Sequence, residues 1–281
     1  MGELNINRII CDTIQITILV FVMMIIVDLI NVWTKGKIKV LIGREKKYRQ
    51  YFIASFISSL PGCLGSFTNV SLYIHGLISI GALTGAMVAA SGDEAFVMLA
   101  MFPKTAIILI GILFLLGVIT GFIADNVIKK LNIKTCSDCE KQEYHANEGS
   151  FFHYVKVHIW AHIIKKHLWK TALWTFGALL VVEIGIEYFN LKEISSQYPL
   201  LMLLVAGLMG LIPESGPHMI FVTMFANGLV PFSVLFTSAY VQDGHGMLPM
   251  LSYSIKDSIL IKVFNLIFGI SIGLIFYFIG F

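Results

Sequence analysis

A shift of 152 positions lays residues 60–121 over residues 212–273 without a gap, and the residues that survive the shift include helix breakers. Pro61 falls on Pro213, Gly76-Leu77 on Gly228-Leu229, Gly92 on Gly244 and Lys104 on Lys256, while Gly117 and Gly121 fall on Gly269 and Gly273. Twelve of the 62 positions are identical. Aliphatic matches are expected between any two apolar segments; Pro, Gly and Lys in register are not. Whatever the first copy builds, the second builds again. In a membrane chain such a repeat points to a transporter fold with its site at the interface between copies.

The membrane setting follows from the residues between the breakers. The chain is 57% hydrophobic and 13% charged, with mean hydropathy +0.83, against about 25% charged residues in soluble domains. That leaves little room for a separate soluble domain and excludes a nucleic-acid binder. The first apolar stretch, Thr13 to Trp33, is too long, too weakly flanked by cations and too interrupted by Asp28 to read as a signal peptide. It reads as a spanning helix.

Charge then orients the chain. Residues 35–49 carry seven cations against Glu45 alone, which places this loop in the cytoplasm and the N-terminus outside. Residues 51–60 stop at Pro61-Gly62. Ten helical residues reach only about half way through the hydrocarbon, so the break falls near the midplane. Residues 66–90 are interrupted at His75-Gly76, Ser91-Gly92-Asp93-Glu94 breaks the chain again, and 105–126 is a full span. The polar stretch 129–170 has eight lysines against four acids and is also cytoplasmic. An even number of crossings therefore separates residue 50 from residue 129, and the first helix makes the copy odd. An odd copy forces an inverted second one. The loop 190–193 after the second copy's first helix is neutral, where its counterpart carries net +6.

The expected architecture is all-α: repeat 1 over 1–128, a cytoplasmic connecting loop over 129–170 and an inverted repeat 2 over 171–281. Each repeat has about five segments, with broken helices meeting near the midplane. The protein is expected in the inner cell membrane, multi-pass, with the bilayer, a divalent metal ion and protons as partners, and homodimerisation left open.

Chemistry concentrates at the breaks. Pro61, Gly62 and Gly92 in one copy, and Pro213, Gly216 and Gly244 in the other, free backbone groups at the ends of half-helices. Asp93, Glu94, Glu214, His218, Asp243 and His245 supply carboxylates and imidazoles beside them. Ionisable groups at this depth mark function by default, and oxygen with nitrogen suits Mn, Fe, Zn or Co better than Cu(I). The plainer reading is that these groups satisfy unwound backbone. Asp28 and Glu183, at similar depth in repeat-equivalent helices, are candidates for proton coupling, and Glu187 reads as a headgroup-facing acid. Lys104 and Lys256 read as interfacial lysines that snorkel. Cys11 and Cys63 read as small packing residues. Cys136, Cys139, His145 and His153 in the loop form C-x2-C-x5-H-x7-H. This is either a Zn²⁺ site of unusual spacing or a thiol pair ahead of an interfacial helix carrying Trp160 and Trp169. No tightly bound cofactor is expected within the membrane.

The run Pro213-Glu214-Ser215-Gly216-Pro217-His218, with Ala239 to Gly246 and Ser91 to Ala95, resembles the ten-span heavy-metal exporters. That family includes chains labelled manganese transporters and is grouped with the arsenical permeases. The resemblance covers nearly the whole chain. It implies five segments per repeat and export of a divalent transition metal of the Mn²⁺ kind. Deprotonation of carboxylate and imidazole ligands couples metal binding to protons, so proton antiport is the expected coupling.

Two other classes compete. An organic or arsenical anion could sit at half-helix N-termini, but the excess of acids argues against it. An intramembrane lipid-diphosphate phosphatase would need a cation on the phosphate, normally Arg, and no arginine follows Arg49. No H-E-x-x-H occurs for a zinc protease. The chain is therefore read as a transporter, not an enzyme.

Overall fold

The computed structural model describes residues 47–133 apart from 75, residue 135, residues 197–281 apart from 214, 248, 249, 252 and 253, and scattered positions over 6–22 and 169–195. Among these residues the secondary structure is helical throughout, with no strand.

In the first copy, α1 (Lys47–Ser59) ends just before Pro61, which has no amide hydrogen to donate, and Gly62, at φ +100°. Helix α2 (Leu64–Ile74) closes with the Gly76 amide on the Tyr73 carbonyl (2.8 Å) and the Leu77 amide on the Leu72 carbonyl (2.9 Å). This paired closure needs a left-handed residue, supplied by Gly76 at φ +66°. Helix α3 (Ile80–Ala89) is capped by Ser79, whose hydroxyl accepts from the Ala82 amide. After the turn at Gly92 come α4 (Glu94–Met101) and α5 (Pro103–Lys130), the latter opened by a proline in its first turn.

The second copy repeats these events. Helix α6 (Pro199–Met209) ends ahead of Pro213. Helix α7 (Met219–Ala226) closes with the Gly228 amide on Phe225 and the Leu229 amide on Met224, both 2.9 Å, with Gly228 at φ +67°. Helix α8 (Phe232–Val241) occupies α3 shifted by 152 residues, and α9 (Ile255–Ile279) starts 152 residues after α5. The Gly-Leu pairs that survive in the sequence survive because each ends a helix in the same way.

Among the described residues, three stretches are long and apolar enough to cross a bilayer: Ile80–Met101, Pro103–Lys130 and Ile255–Ile279. The first is almost wholly buried inside the protein. The other two show apolar flanks outward, with Ile107, Ile108, Leu115 and Ile119 on α5 and Ile259, Val263, Ile267 and Ile275 on α9 all exposed. That is the surface a helix presents to lipid.

Small residues set how close these helices come. A Cβ on Gly85 would strike the Gly117 carbonyl, and one on Gly121 the Gly81 carbonyl. Two small-xxx-small faces thus bring α3 and α5 into backbone contact, the mode by which helices associate without a hydrophobic driving force. In the second copy Gly269 receives Tyr240 and Val241, and Gly273 receives Thr237.

The copies also meet at two flanks, each using the same position of its copy, Tyr73 in one and Phe225 in the other. At one, the Tyr73 hydroxyl at the end of α2 donates to Asp257 Oδ2 in the first turn of α9, 2.9 Å away. At the other, Phe225 at the end of α7 stands edge-on to Phe102, just ahead of α5, with ring centroids 5.0 Å apart. Phe232 and Phe276 extend this second flank.

Candidate functional site

Gly92 and Gly244 adopt φ +54° and +55°, a conformation that costs most other residues about 1 kcal/mol or more. The two turns touch: a Cβ on Gly244 would lie 3.5 Å from the Gly92 Cα. The Gln242 amide donates to the Ala90 carbonyl at 2.9 Å, and its side-chain oxygen accepts from the Gly244 amide at 2.8 Å. Residues 90 and 242 are themselves 152 positions apart, so one copy satisfies the backbone of its own equivalent in the other. Across the same centre the Gly62 amide donates to the Gly92 carbonyl at 3.0 Å. Helix α2 lies against the turn Gly244–Gly246, and α7 lies against α4, the equivalent pairing.

Buried ionisable groups surround this contact. Asp93 is 5% exposed and receives the Cys63 thiol at 3.4 Å. Glu94 is 2% exposed, and neither of its carboxylate oxygens meets a donor in hydrogen-bond geometry among the described residues. Glu94 Oε2 and the Ser215 hydroxyl crowd the same side of Gly92, each in the space a Cβ would need. His218 is buried, with Nδ1 on the Ser238 hydroxyl at 3.0 Å and the Ile212 backbone also within reach of the ring.

Asp243 is held most firmly. Its Oδ1 accepts from the Asn265 amide at 3.0 Å, and its Oδ2 forms an ion pair with Lys262. Lys262 also donates to the Gly210 carbonyl at 2.9 Å, at the C-terminal end of α6. Lys262 and Asn265 are three residues apart on α9, so both reach Asp243 from one face. A charged side chain at the centre of a membrane helix costs about 2.5–3.5 kcal/mol even on insertion scales. A cluster of this size in the protein interior therefore calls for a purpose.

The structure brings both breaks together and buries Asp93, Glu94, His218 and Asp243 around them. Pro61, Gly62, Pro213 and Gly216 stand at the expected interruptions between helices. His245 is placed by its backbone in the turn Gly244–Gly246, while its side chain lies outside the described residues. Glu214, Asp28, Glu183, Cys136, Cys139, His145 and His153 also lie outside them. Among the described residues no three His, Cys, Asp or Glu side chains stand together as a metal-holding group. Lys104 and Lys256 are exposed, in keeping with interfacial lysines.

Three residues escaped sequence reasoning. Cys63 is more than a packing residue, since its thiol meets Asp93; the signal was its equivalence to Ser215 beside the second break. Lys262 and Asn265 interrupt an apolar 25-residue helix, and a lysine well inside such a span is itself the signal.

The sequence matches the pattern of a family described as "Putative, 10TM heavy-metal exporter" over residues 3–178 and again over 163–280. The chain belongs to this family. Searches of the curated proteins and of the solved structures return no match. Membership makes the chain a polytopic membrane protein of a transporter family. The three apolar spans described fit a family of ten-span proteins, and the buried polar centre lies between the two repeats.

Proposed function

We propose that this ten-span exporter moves a divalent transition-metal cation of the Mn²⁺ kind out of the cell in exchange for protons. The observation that carries the reading is Glu94, a buried carboxylate at the contact between the two breaks, with only its own amide and the Ser215 hydroxyl as donors near it among the described residues and no cation to balance it there. Buried polar atoms are nearly always paired, and a hard cation is the partner an orphaned carboxylate best accepts. Further ligands in this reading are drawn from Glu214, Asp243, Asp93, His218 and His245; among the described residues no three of them stand round one point, so binding would bring them together. Carboxylates with an imidazole suit Mn²⁺ or Zn²⁺. Metal binding releases protons from its ligands, so protons returning to the same acids on the far side drive the exchange. An anionic cargo is disfavoured, because the partly buried ammonium described at this centre, Lys262, is already matched by Asp243.

In this reading the repeats are inverted, with the N-terminus outside in the inner membrane. The two flanks support it. Phe102, at the start of α5, lies with Phe225, Phe232 and Phe276, the last near the end of α9. Asp257, at the start of α9, bonds Tyr73, which also lies within electrostatic reach of Asp125 near the end of α5. Equivalent helices α5 and α9 thus run in opposite directions, as rocking-repeat transporters require.

The test is metal uptake into everted vesicles under an imposed pH gradient. Glu214→Gln and Asp243→Asn are each expected to cut Mn²⁺ uptake at least about tenfold, as loss of a metal ligand does. Two variants that transport like wild type, or a wild type that moves no divalent metal, would overturn the proposal.

A further inference from the structure

Lys262 has two anchors of different kinds. Its ammonium pairs with Asp243 Oδ2 and donates to the Gly210 carbonyl at 2.9 Å. The Gly210 carbonyl lies at the C-terminus of α6, where helix dipoles favour a cation. The ammonium can therefore leave Asp243 and still keep a favourable partner. Asn265 holds the other carboxylate oxygen, so Asp243 stays in place when Oδ2 is released. The first repeat has no such device: the positions equivalent to Asp243, Lys262 and Asn265 are Ser91, Ile110 and Leu113.

Resting on the metal-transport reading, we propose that Lys262 is a tethered stand-in for the cargo. It holds Asp243 Oδ2 whenever no metal ion does, and an arriving metal ion displaces it toward Gly210. The lysine stays charged throughout; only its partner changes. Two consequences follow. The metal-free carrier can change its facing without exposing its low-dielectric centre to an unpaired carboxylate, which would cost several kcal/mol. The bound metal also sits beside a positive charge, which weakens its hold and favours release.

Mn²⁺ with the full chain tests this in two readouts. One is the Mn²⁺ concentration giving half of the maximal thermal stabilisation in detergent. The other compares, in proteoliposomes, net Mn²⁺ movement with one-for-one Mn²⁺ exchange, which needs no metal-free return. Lys262→Gln is expected to lower the half-maximal Mn²⁺ concentration about tenfold or more. It should also slow net movement while leaving exchange near wild type. Lys262→Arg grips a carboxylate through two parallel hydrogen bonds and is expected to raise the half-maximal concentration. Opposite shifts from two substitutions at one residue are not what a structural brace gives. A brace would lower the unfolding temperature, leave the Mn²⁺ midpoint unchanged and reduce net movement and exchange together, and that result overturns the proposal. If Lys262→Gln fails to fold, the Arg variant decides alone: an unchanged or lowered midpoint overturns it. A wild type that Mn²⁺ neither stabilises nor crosses with would instead overturn the transport reading beneath.

Discussion

Glu94 tests the balance between stability and use at a single residue. An unsatisfied buried carboxylate destabilises the fold, so Glu94→Gln should raise the metal-free unfolding temperature. A gain of 1 kcal/mol corresponds to roughly 2–4 °C in a chain of this size. With Mn²⁺ as the proposed cargo, the same change should remove most of any stabilisation by Mn²⁺. A melting curve with and without Mn²⁺ checks both; a variant less stable than wild type in metal-free detergent would place a donor on Glu94 that the described residues lack. At this scale the sequence was legible in type and less so in partnership. Asp93, Glu94, His218 and Asp243 stand out because acids and imidazoles are costly in an apolar chain. Cys63 and Asn265 became significant only once packing brought them to Asp93 and Asp243, whereas Lys262 was conspicuous as a lysine inside an apolar span and only its partner was hidden. A thiol or an amide has no fixed cost until its neighbours are known.

The helices were more legible, because their ends are local chemistry. Pro61, Gly76, Gly92 and their counterparts mark interruptions that need no tertiary information, and the bounds of α3 and α8 agree residue for residue under the shift. Spacing between helices was not legible. Gly81, Gly85, Gly117 and Gly121 form a backbone contact whose partner is fixed only by the fold. Gly85→Leu should therefore disrupt folding, since its Cβ meets the Gly117 carbonyl, with a cost above about 3 kcal/mol from overpacking. Gly111, also on α5, has open space around it. Gly111→Ala should be neutral or stabilising by up to about 1 kcal/mol from helix propensity. Yield of folded protein in detergent separates the two, and equal outcomes would contradict the packing described.

For the whole molecule, the repeat was visible as twelve identities and appears again in matched turns, matched caps and a glutamine that reaches its own equivalent. The difference between the flanks was hidden, because it lies in pairs that face each other across the copies. Tethering Phe102→Cys to Phe225→Cys should hold one flank shut, arresting Mn²⁺ transport under oxidation and releasing it on reduction. Transport that continues in the crosslinked protein would show that this flank need not open.

The flanks also differ in how their closure responds to temperature. One is closed by a hydrogen bond, Tyr73 to Asp257, and the other by aromatic rings at Phe102 and Phe225. Opening the aromatic flank hydrates apolar surface and raises the heat capacity, while hydrating polar surface lowers it. In the proposed rocking mechanism the two open forms would therefore have different heat capacities, and the balance between them would follow a curve in temperature rather than a fixed ratio. Apolar contacts weaken on cooling, so a cold membrane favours the form open beside Phe102. If the proposed rocking of the two repeats is correct, the resting direction would to that extent follow the growth temperature of the cell.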